Sequence, residues 1–295
     1  MRPEYKEIKD LVEENLLRYL PETDRECGIL YDSMKYSLEA GGKRIRPVLL
    51  IASCRAAGGT DAEAIPYACA IEFIHTYSLI HDDHPSMDND DLRRGKPTNH
   101  KVFGDDMAIL AGDGLLNSAM DVMFDDIAAH TGETARKRLR AAREISRAAG
   151  TRGMIAGQTA DVRPELIGLA GPEKLRYIHR HKTGALIRAA AAAGAYVGGA
   201  DGRIQHSLEH YAEQIGIAFQ IIDDVLDVIG DAGKLGKNTG VDEELGKLTY
   251  PSFYGVEKSE ELAKEATDSA CAALEGVEGS GFLKVLALDL LDRIF

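Results

Sequence analysis

The sequence lacks the features that mark membrane, secreted and multidomain proteins. No Pro/Gly/Ser-rich linker and no long low-complexity tract divide its 295 residues, so one domain over residues 1–295 is expected. The longest apolar stretch, Ala185 to Ala200, contains Arg188 and is too short and too rich in alanine and glycine to span a bilayer. The amino terminus is charged and has no apolar signal-peptide core. These absences predict a cytoplasmic protein without membrane insertion.

Cysteine and positive charge are also scarce. The four cysteines form no Cys-x-x-Cys pair, and three of them lie in apolar helical stretches, which predicts reduced core thiols. The net charge of −13 argues against nucleic acid or an anionic membrane surface as a partner. A protein this acidic must concentrate its positive charge locally if it binds an anionic substrate. The cysteines are Cys27, Cys54, Cys69 and Cys271.

The period-two alternation typical of strands is missing, whereas helical periodicity is present throughout the chain. An apolar stripe through Ile8, Val12 and Leu16 ends at Pro21, and Gly41-Gly42 ends a second predicted helix. With 44% hydrophobic residues, the chain can bury a substantial core. The pattern predicts an all-α bundle of long helices around a central cavity. Further helices are predicted at about 62–83, 105–129, 132–149, 172–183, 185–199, 203–229, 259–275 and 280–294.

One segment combines densely spaced aspartates with a basic run. Five aspartates follow within ten residues at the end of the predicted 62–83 helix, and Arg93-Arg94-Gly95-Lys96 comes next. Carboxylates this dense repel one another unless they share a cation, and Mg²⁺ typically takes one or two carboxylates plus substrate phosphates. The neighbouring arginines and lysine suit the phosphates. Taken alone, the run is equally well explained as a solvated loop. The aspartates are Asp82, Asp83, Asp88, Asp90 and Asp91.

A second acidic element lies on a helix whose apolar neighbours predict burial. Asp223 and Asp227 are four residues apart and therefore share one helix face. Buried carboxylates need partners, and a shared cation would supply one. Lys234, Lys237 and Lys247 follow in a Gly-rich segment, so carboxylates followed by bases occur twice. The two elements together predict a site for a polyphosphate ester held through divalent cations.

Six short motifs follow one another along the chain. They are Gly41 to Pro47, the Asp-Asp-x4-Asp segment from Asp82 to Asp88, Arg93-Arg94-Gly95, Gly157-Gln158-x-x-Asp161, His181-Lys182-Thr183-Gly184, and Phe219-Gln220-x-x-Asp223-Asp224-x-x-Asp227. Over nearly its whole length the chain resembles the short-chain trans-isoprenyl diphosphate synthases of the bacterial farnesyl diphosphate synthase type. The resemblance implies the isoprenoid synthase fold. It also implies Mg²⁺-dependent condensation of isopentenyl diphosphate with dimethylallyl or geranyl diphosphate, giving farnesyl diphosphate.

The resemblance also implies roles for individual residues. It implies three Mg²⁺ ions, with Asp82, Asp83, Asp88, Asp223 and Asp227 as ligands or ligand neighbours. The diphosphate of isopentenyl diphosphate is expected at Lys43, Arg46, His75 and Arg94. The allylic diphosphate is expected at Arg93, Lys182 and Lys237, with Lys247 as a weaker candidate. Thr183 and Gln220 match positions that face the reacting carbon.

Product length is predicted from the helix that leads to the first aspartates. His75, Ser78 and Asp82 share one face of this helix, and Tyr77 lies roughly 7.5 Å from Asp82 along its axis. A growing prenyl tail would meet the Tyr77 ring after a few isoprene units. Taken alone, Tyr77 is better explained as a plain core aromatic, but tyrosine followed by Ser78 resembles the farnesyl-producing members.

Other functions compete with this interpretation. Geranylgeranyl diphosphate synthesis is the alternative within the family. A His-Asp metal phosphohydrolase would use His75, His81 and Asp82 but would leave Lys43, Arg46 and the Asp223–Asp227 helix unexplained. A silent subunit of a synthase is disfavoured because the expected charged positions are filled. The resemblance further implies a homodimer, and two details depart from the usual family pattern: His84 replaces leucine, and the Ala189–Gly199 segment is unusually rich in small residues.

Overall fold

The chain folds almost entirely into helices, which confirms the all-α prediction. The computed structural model describes residues 2–22, 24–229 and 248–292. Two short strands, β1 (Leu92–Arg93) and β2 (Lys96–Pro97), form an antiparallel hairpin. A π-helical turn, His179–Gly184, is called the π segment below. The α-helices are α1 Pro3–Tyr19, α2 Gly28–Leu38, α3 Ile45–Ala56, α4 Asp61–Asp82, α5 Asn99–Phe103, α6 Asp105–Ala128, α7 Gly132–Ala149, α8 Met154–Val162, α9 Gly171–Ile178, α10 Ala185–Gly198, α11 Gly202–Ile229, α12 Tyr250–Tyr254, α13 Val256–Ala273 and α14 Gly281–Leu291.

Helix α4 carries the first aspartates and packs against α1, α2, α3, α6, α7 and α10. Thr60 and Glu63 form a capping box at its start, which satisfies backbone amides that the first turn leaves free. The helix is apolar around most of its circumference, as expected for a helix surrounded by others. It ends at Asp82, within one residue of the predicted end, because Pro85 disfavours helical backbone before it. Packing therefore fixes the position of Asp82.

Helices α3 and α10 pack backbone against backbone. A Cβ atom on Gly194 would lie 2.1 Å from the carbonyl oxygen of Leu50, and one on Gly198 would lie 2.5 Å from that of Cys54. No side chain fits at these two positions. The run Ala189–Ala193 beside them is fully buried. The small residues of α10 therefore serve close helix packing.

Several elements differ from the sequence prediction. Helices α5, α8 and α12 and the β1–β2 hairpin were not predicted, because each is too short to show a period. The predicted 172–183 helix is α9 followed by the π segment, and the predicted 259–275 helix begins earlier, at Val256. Arg94 and Gly95, both at positive φ, form the hairpin turn. The two strands are too short to change the fold class.

The cysteines and α6 relate to two further predictions, that the thiols are reduced and buried and that no helix enters a membrane. All four cysteines are free; Cys54 and Cys69 are buried, whereas Cys27 is exposed, so the core-thiol prediction holds for only part of the set. Burial raises the pKa of the Cys54 thiol to about 12, which makes it unreactive. By length and composition α6 could cross a membrane, but 44% of its most apolar window is buried in the structure, and core helices pass the same test.

Candidate active site

The first aspartate segment meets α8 and the π segment at Asp82. The side-chain amide of Gln158, on α8, donates a hydrogen bond to Asp82 Oδ1. Lys182 Nζ, on the π segment, lies 3.6 Å from Asp82 Oδ2 and 2.6 Å from Asp161 Oδ2. Burial lowers the pKa of Lys182, but Asp82 and Asp161 outweigh it and raise the value overall. A charged ammonium is thus held between two carboxylates from separate helices.

Glycine at position 157 permits this contact between α8 and the π segment. A Cβ atom there would lie 2.0 Å from the backbone nitrogen of Lys182. The π turn adds one residue to a helical turn, and such turns often occur at functional sites. Thr183 follows Lys182 within this turn and is partly buried. The motif Gly157-Gln158-x-x-Asp161 therefore places the π segment against the end of α4.

Asp83 faces a different partner from Asp82. Its carboxylate is buried and accepts hydrogen bonds from two nitrogens of Arg93, with Nε at 2.9 Å from Oδ1. Arg93 also donates to Asp90 at 3.0 Å, and Asp91 pairs with Lys101 at 2.6 Å. Burial raises the pKa of Asp83 to about 6, because it outweighs the opposing effect of Arg93. In this arrangement Arg93 supplies the hydrogen bonds that buried Asp83 needs and holds the loop after α4 in place.

The second aspartate motif is the carboxyl-terminal part of α11. Asp227 is buried, whereas Asp223 and Gln220 are partly buried. Asp224, which the sequence analysis left without a role, accepts a hydrogen bond of 2.9 Å from the backbone amide of Tyr250. It therefore attaches the start of α12 to α11 and places the segment after the Gly-rich region beside the second motif.

A mostly buried histidine links the second motif to the π segment. His179 Nε2 lies 3.9 Å from Asp224 Oδ2, and the His179 ring lies 5.7 Å from that of Tyr250. Burial lowers the pKa of His179 to about 4, so the ring is neutral near pH 7. His181 stacks on Tyr177 with ring centroids 4.1 Å apart. Both histidines therefore make contacts that support the structure here.

The basic segment Gly41 to Pro47 contains two arginines with different surroundings. Arg44 has a left-handed backbone (φ 53°) and its side chain is fully buried, 2.6 Å from Glu72 and 2.9 Å from Glu13. Arg44 is therefore held in a structural ion pair and is not placed to bind an anion. Arg46 Nε is buried without a hydrogen-bond partner among the described residues. Burial lowers the pKa of Arg46 to about 10, which still leaves it charged near pH 7.

Arg94 and His75 lie close to Arg46. Arg94 donates to the carbonyl oxygen of Gly41 and lies so close to Gly42 that a Cβ there would be 2.5 Å from its guanidinium carbon. Burial, followed by the charges of Arg46 and Arg94, holds the pKa of His75 well below its usual range. The neutral imidazole of His75 thus lies near the guanidiniums of Arg46 and Arg94. Lys43, in the loop before α3, is exposed.

Replacing Arg44 with alanine is expected to lower the free energy of unfolding by about 3–5 kcal/mol, because the Glu72 carboxylate would remain buried without its charge partner. Urea unfolding followed by circular dichroism measures the change. The double variant Arg44→Met/Glu72→Met removes both charges and should recover most of the loss. Equal destabilisation in both variants would contradict the pair as the cause.

Tyr77 lies one helical turn before His81 on α4. It is 6% exposed, and its ring lies edge-on to His81 with centroids 5.7 Å apart. His81 Nε2 lies 3.1 Å from the carbonyl oxygen of Ile109, and a Cβ atom on Gly112 would lie 2.1 Å from that nitrogen. Ser78 donates to its own helix backbone at His75 and is partly buried. His81 therefore packs against α6 and away from the Asp82 contacts.

The carboxylates at the ends of α4 and α11 fit Mg²⁺ by their chemistry. Mg²⁺ prefers hard oxygen ligands and is usually bound by one or two carboxylates plus substrate phosphates. Within residues 2–22, 24–229 and 248–292, no three histidine, cysteine or carboxylate groups form a ready-made metal cluster. Asp82, Asp88 and Asp223 can supply such oxygens, and the orphaned Arg46 donor fits a phosphate oxygen. These residues therefore fit a site in which substrate phosphates supply the remaining Mg²⁺ ligands.

Sequence reasoning and structure agree only in part at this site. The structure brings together Arg46, His75 and Arg94, and it joins Asp82 to Lys182. Lys237 and Lys247 lie outside the described residues. Reasoning from sequence assigned no role to Gln158, Asp161 or Asp224, although all three belong to motifs that it quoted. Their presence in these motifs could have indicated that they belong to the site.

Comparisons with known proteins agree with this geometry. Residues 27–276 match the sequence profile of the Polyprenyl synthetase family. The farnesyl diphosphate synthase of Geobacillus stearothermophilus is 51% identical over 275 residues, covering 93% of this chain and 91% of that protein. The geranylgeranyl diphosphate synthase of Cyanophora paradoxa is 48% identical over 265 residues, covering 90% and 86%. A solved FPP/GFPP synthase from Zymomonas mobilis superposes with a TM-score of 0.85 at 34% identity, covering 97% of each chain.

These matches establish the fold and the general chemistry. The structural relative has the isoprenoid synthase fold, and the family profile spans most of the chain. Prenyl synthases of this family use Mg²⁺ and act on isopentenyl and allylic diphosphates. The chain is therefore a prenyltransferase that belongs to the polyprenyl synthetase family.

Proposed function

We propose that this prenyltransferase makes farnesyl diphosphate from isopentenyl diphosphate and dimethylallyl or geranyl diphosphate. The observation that carries the proposal is the buried Tyr77 ring on α4, which would limit the length of a prenyl tail growing from Asp82. The farnesyl diphosphate synthase of Geobacillus stearothermophilus supports this product. The Cyanophora paradoxa enzyme, by its name, favours geranylgeranyl diphosphate as the alternative.

The first task of the proposed site is to hold two diphosphates. Arg46, Arg94 and Lys43 bind the diphosphate of isopentenyl diphosphate, and neutral His75 donates a hydrogen bond to it. Charged Lys182 and Arg93 bind the allylic diphosphate beside Asp82. Lys237, outside the described residues, is proposed for the same role, with Lys247 as a weaker candidate. The cost of burying the Arg46 guanidinium and a neutral imidazole is offset when an anion binds to them.

The second task is ionisation and coupling. We propose three Mg²⁺ ions at Asp82, Asp88 and Asp223, with Asp83 and Asp227 beside them; when bound, they neutralise the diphosphate and assist its departure. Lys182 stabilises negative charge on the leaving oxygen as the allylic C–O bond breaks. The isopentenyl double bond attacks the resulting cation to form the new C–C bond, and the released diphosphate takes the proton lost.

The third task is protection of the allylic cation. Thr183 on the π segment and Gln220 on α11 are proposed to face the reacting carbon, where their oxygen lone pairs stabilise positive charge. The apolar walls of the helix bundle exclude water, which would otherwise quench the cation. This division explains why the charged groups gather at the ends of α4 and α11 while the helices between them are apolar.

The preferred allylic substrate tests the proposed product. With isopentenyl diphosphate in excess, the enzyme is expected to elongate dimethylallyl and geranyl diphosphates and to leave farnesyl diphosphate unused. Initial rates measured with each allylic substrate at equal concentration distinguish the two products. Elongation of farnesyl diphosphate at a rate comparable to that of geranyl diphosphate would favour geranylgeranyl synthesis.

Tyr77→Ala is expected to lengthen the product beyond fifteen carbons, because it removes the buried ring beside His81 and opens space along α4. Tyr77→Phe keeps the ring and should keep the native product, so it serves as the matched control. Mass spectrometry of the dephosphorylated prenyl alcohols gives the chain length. Identical product distributions for native enzyme and Tyr77→Ala would place the floor of the tail pocket elsewhere.

The proposed assembly is a homodimer formed through the outer face of α6. Three large apolar side chains on this helix are exposed in the single chain: Ile109 at 44%, Leu110 at 51% and Phe124 at 57%. Covering such a face is a usual reason for two-fold association. Multi-angle light scattering at micromolar concentration is expected to give twice the chain mass of 32.0 kDa. A particle of single-chain mass would count against the dimer.

A further inference from the structure

The outer face of α7 carries a row of exposed arginines. Arg136, Arg140, Arg143 and Arg147 are spaced by four, three and four residues, and exposed Arg152 follows just beyond the helix. At about 100° per residue, the four helical members lie within an arc of about 60° and extend for about 16 Å. These five residues are called the arginine row. Guanidinium groups this close repel one another, so the row is not explained by folding alone.

Few acidic residues neutralise the arginine row. Arg136 pairs with Glu133 at 3.2 Å. The other acidic residue of α7, Glu144, is bound to Arg188 at 3.0 Å. The remaining four members of the row form no ion pair in the described part of the chain. Much of the positive charge on this face is therefore available to an external anion.

The inner face of α7 shows that the row is not required for packing. Arg138, on that face, is 5% exposed and pairs with Asp126 of α6 at 2.8 Å. Buried Ala141 and Ile145 complete the contact with the bundle. Arg138 is thus a structural arginine on the inner face, whereas the arginine row is on the outer face and contacts solvent.

The net charge of −13 predicts that anionic surfaces are repelled, but charge acts locally in salt solution. At physiological ionic strength the Debye length is about 8 Å, so a surface touching α7 is affected mainly by the row. Clusters of four to eight basic residues on an amphipathic helix are typical of binding to anionic phospholipids. The row falls within that range.

We propose that α7 docks on the surface of an anionic phospholipid bilayer through the arginine row. Arginine binds phosphate oxygens bidentately, which suits phospholipid headgroups. Leu139, beside the row, is 53% exposed and can enter the headgroup region. Helix α7 contains no aromatic residue on which bases could stack, so single-stranded nucleic acid fits this face less well. The proposal rests on charge and exposure and is independent of the product assigned above.

Co-sedimentation of the full-length protein with extruded vesicles tests the proposal. Vesicles of phosphatidylcholine with about one third phosphatidylglycerol are compared with vesicles of phosphatidylcholine alone. The native protein should bind only the anionic vesicles and should be released as salt rises from about 0.1 M to about 1 M. Arg140→Glu/Arg143→Glu/Arg147→Glu should lower the partition coefficient about 100-fold or more.

A matched variant separates the row from net charge. Arg18→Glu/Arg25→Glu/Lys264→Glu reverses three exposed cations elsewhere and changes the net charge equally, so it should keep most of the binding. If the glutamate variant proves unstable, Arg140→Gln/Arg143→Gln/Arg147→Gln replaces it. This variant removes the three charges without reversing them and should show an intermediate loss of binding. Equal loss in the row and control variants would overturn the proposal. Equal binding to neutral vesicles, no vesicle binding, or a row-dependent preference for duplex DNA over vesicles would do the same.

Discussion

Asp82→Ala is expected to lower kcat by about a thousandfold while leaving the fold intact. Asp82 lies where α4 ends, and its carboxylate receives Gln158 and approaches Lys182. In the proposed mechanism it also supplies oxygen to the metal ions that neutralise the leaving diphosphate. Loss of one well-placed electrostatic contact in a catalytic site typically costs 10²–10³ in rate, and here the metal and Lys182 are both affected. Steady-state diphosphate release at saturating Mg²⁺ and substrates measures the effect.

The matched control for Asp82 is Asp91→Ala. Asp91 belongs to the same acidic run, but it is exposed and its partner is Lys101 at the surface. Exposed ion pairs of this kind contribute less than about 1 kcal/mol, so turnover should change by no more than a few-fold. Circular dichroism should show native helix content for both variants. A similar loss of turnover in the two would mean that the run acts only through its total charge.

Gly157→Ala is expected to lower kcat about 100-fold and to destabilise the protein by about 1–3 kcal/mol. The added Cβ would lie 2.0 Å from the backbone nitrogen of Lys182 and within 2.6 Å of the carbonyl carbon of His181. Both are backbone atoms, so the π segment must move. Overpacking of this kind typically costs 1–3 kcal/mol. A displacement near 1 Å of catalytic groups can cost 10² in rate.

Gly168→Ala provides the comparison for Gly157→Ala, because a Cβ at position 168 meets nothing within 4 Å. It should change neither kcat nor the unfolding midpoint appreciably. The rate loss in Gly157→Ala should remain at temperatures far below its melting transition, since it arises from displacement of Lys182 and Thr183. Full activity of folded Gly157→Ala would show that the position of the π segment does not control the reaction.

The global fold and the main charged groups could be predicted from sequence because they follow from periodicity and spacing. The α4 boundary followed from Pro85, and the shared face of Asp223 and Asp227 followed from their four-residue separation. Long helices show several periods and therefore a clear signal. The α8 helix, with nine residues, shows too few. The single-domain organisation and the cytoplasmic location remain predictions.

Side-chain direction in irregular backbone was beyond prediction from spacing. Arg44 and Arg46 are both basic and close in sequence, yet the left-handed backbone at Arg44 directs its side chain into the Glu13–Glu72 pair. Similarly, Asp83 and Asp82 are adjacent but meet Arg93 and Gln158 respectively. Such choices depend on tertiary neighbours, which sequence spacing does not specify. The motifs therefore located the site more accurately than they assigned its contacts.

Incubation of the purified protein with isopentenyl diphosphate, dimethylallyl diphosphate and Mg²⁺ tests the central claim most directly. Mass spectrometry and diphosphate measurement should show a longer prenyl diphosphate, with one diphosphate released for each isoprene unit added. Omission of either substrate, or excess chelator, should abolish the product. Hydrolysis to inorganic phosphate without a new carbon–carbon bond would contradict the account and favour a phosphohydrolase.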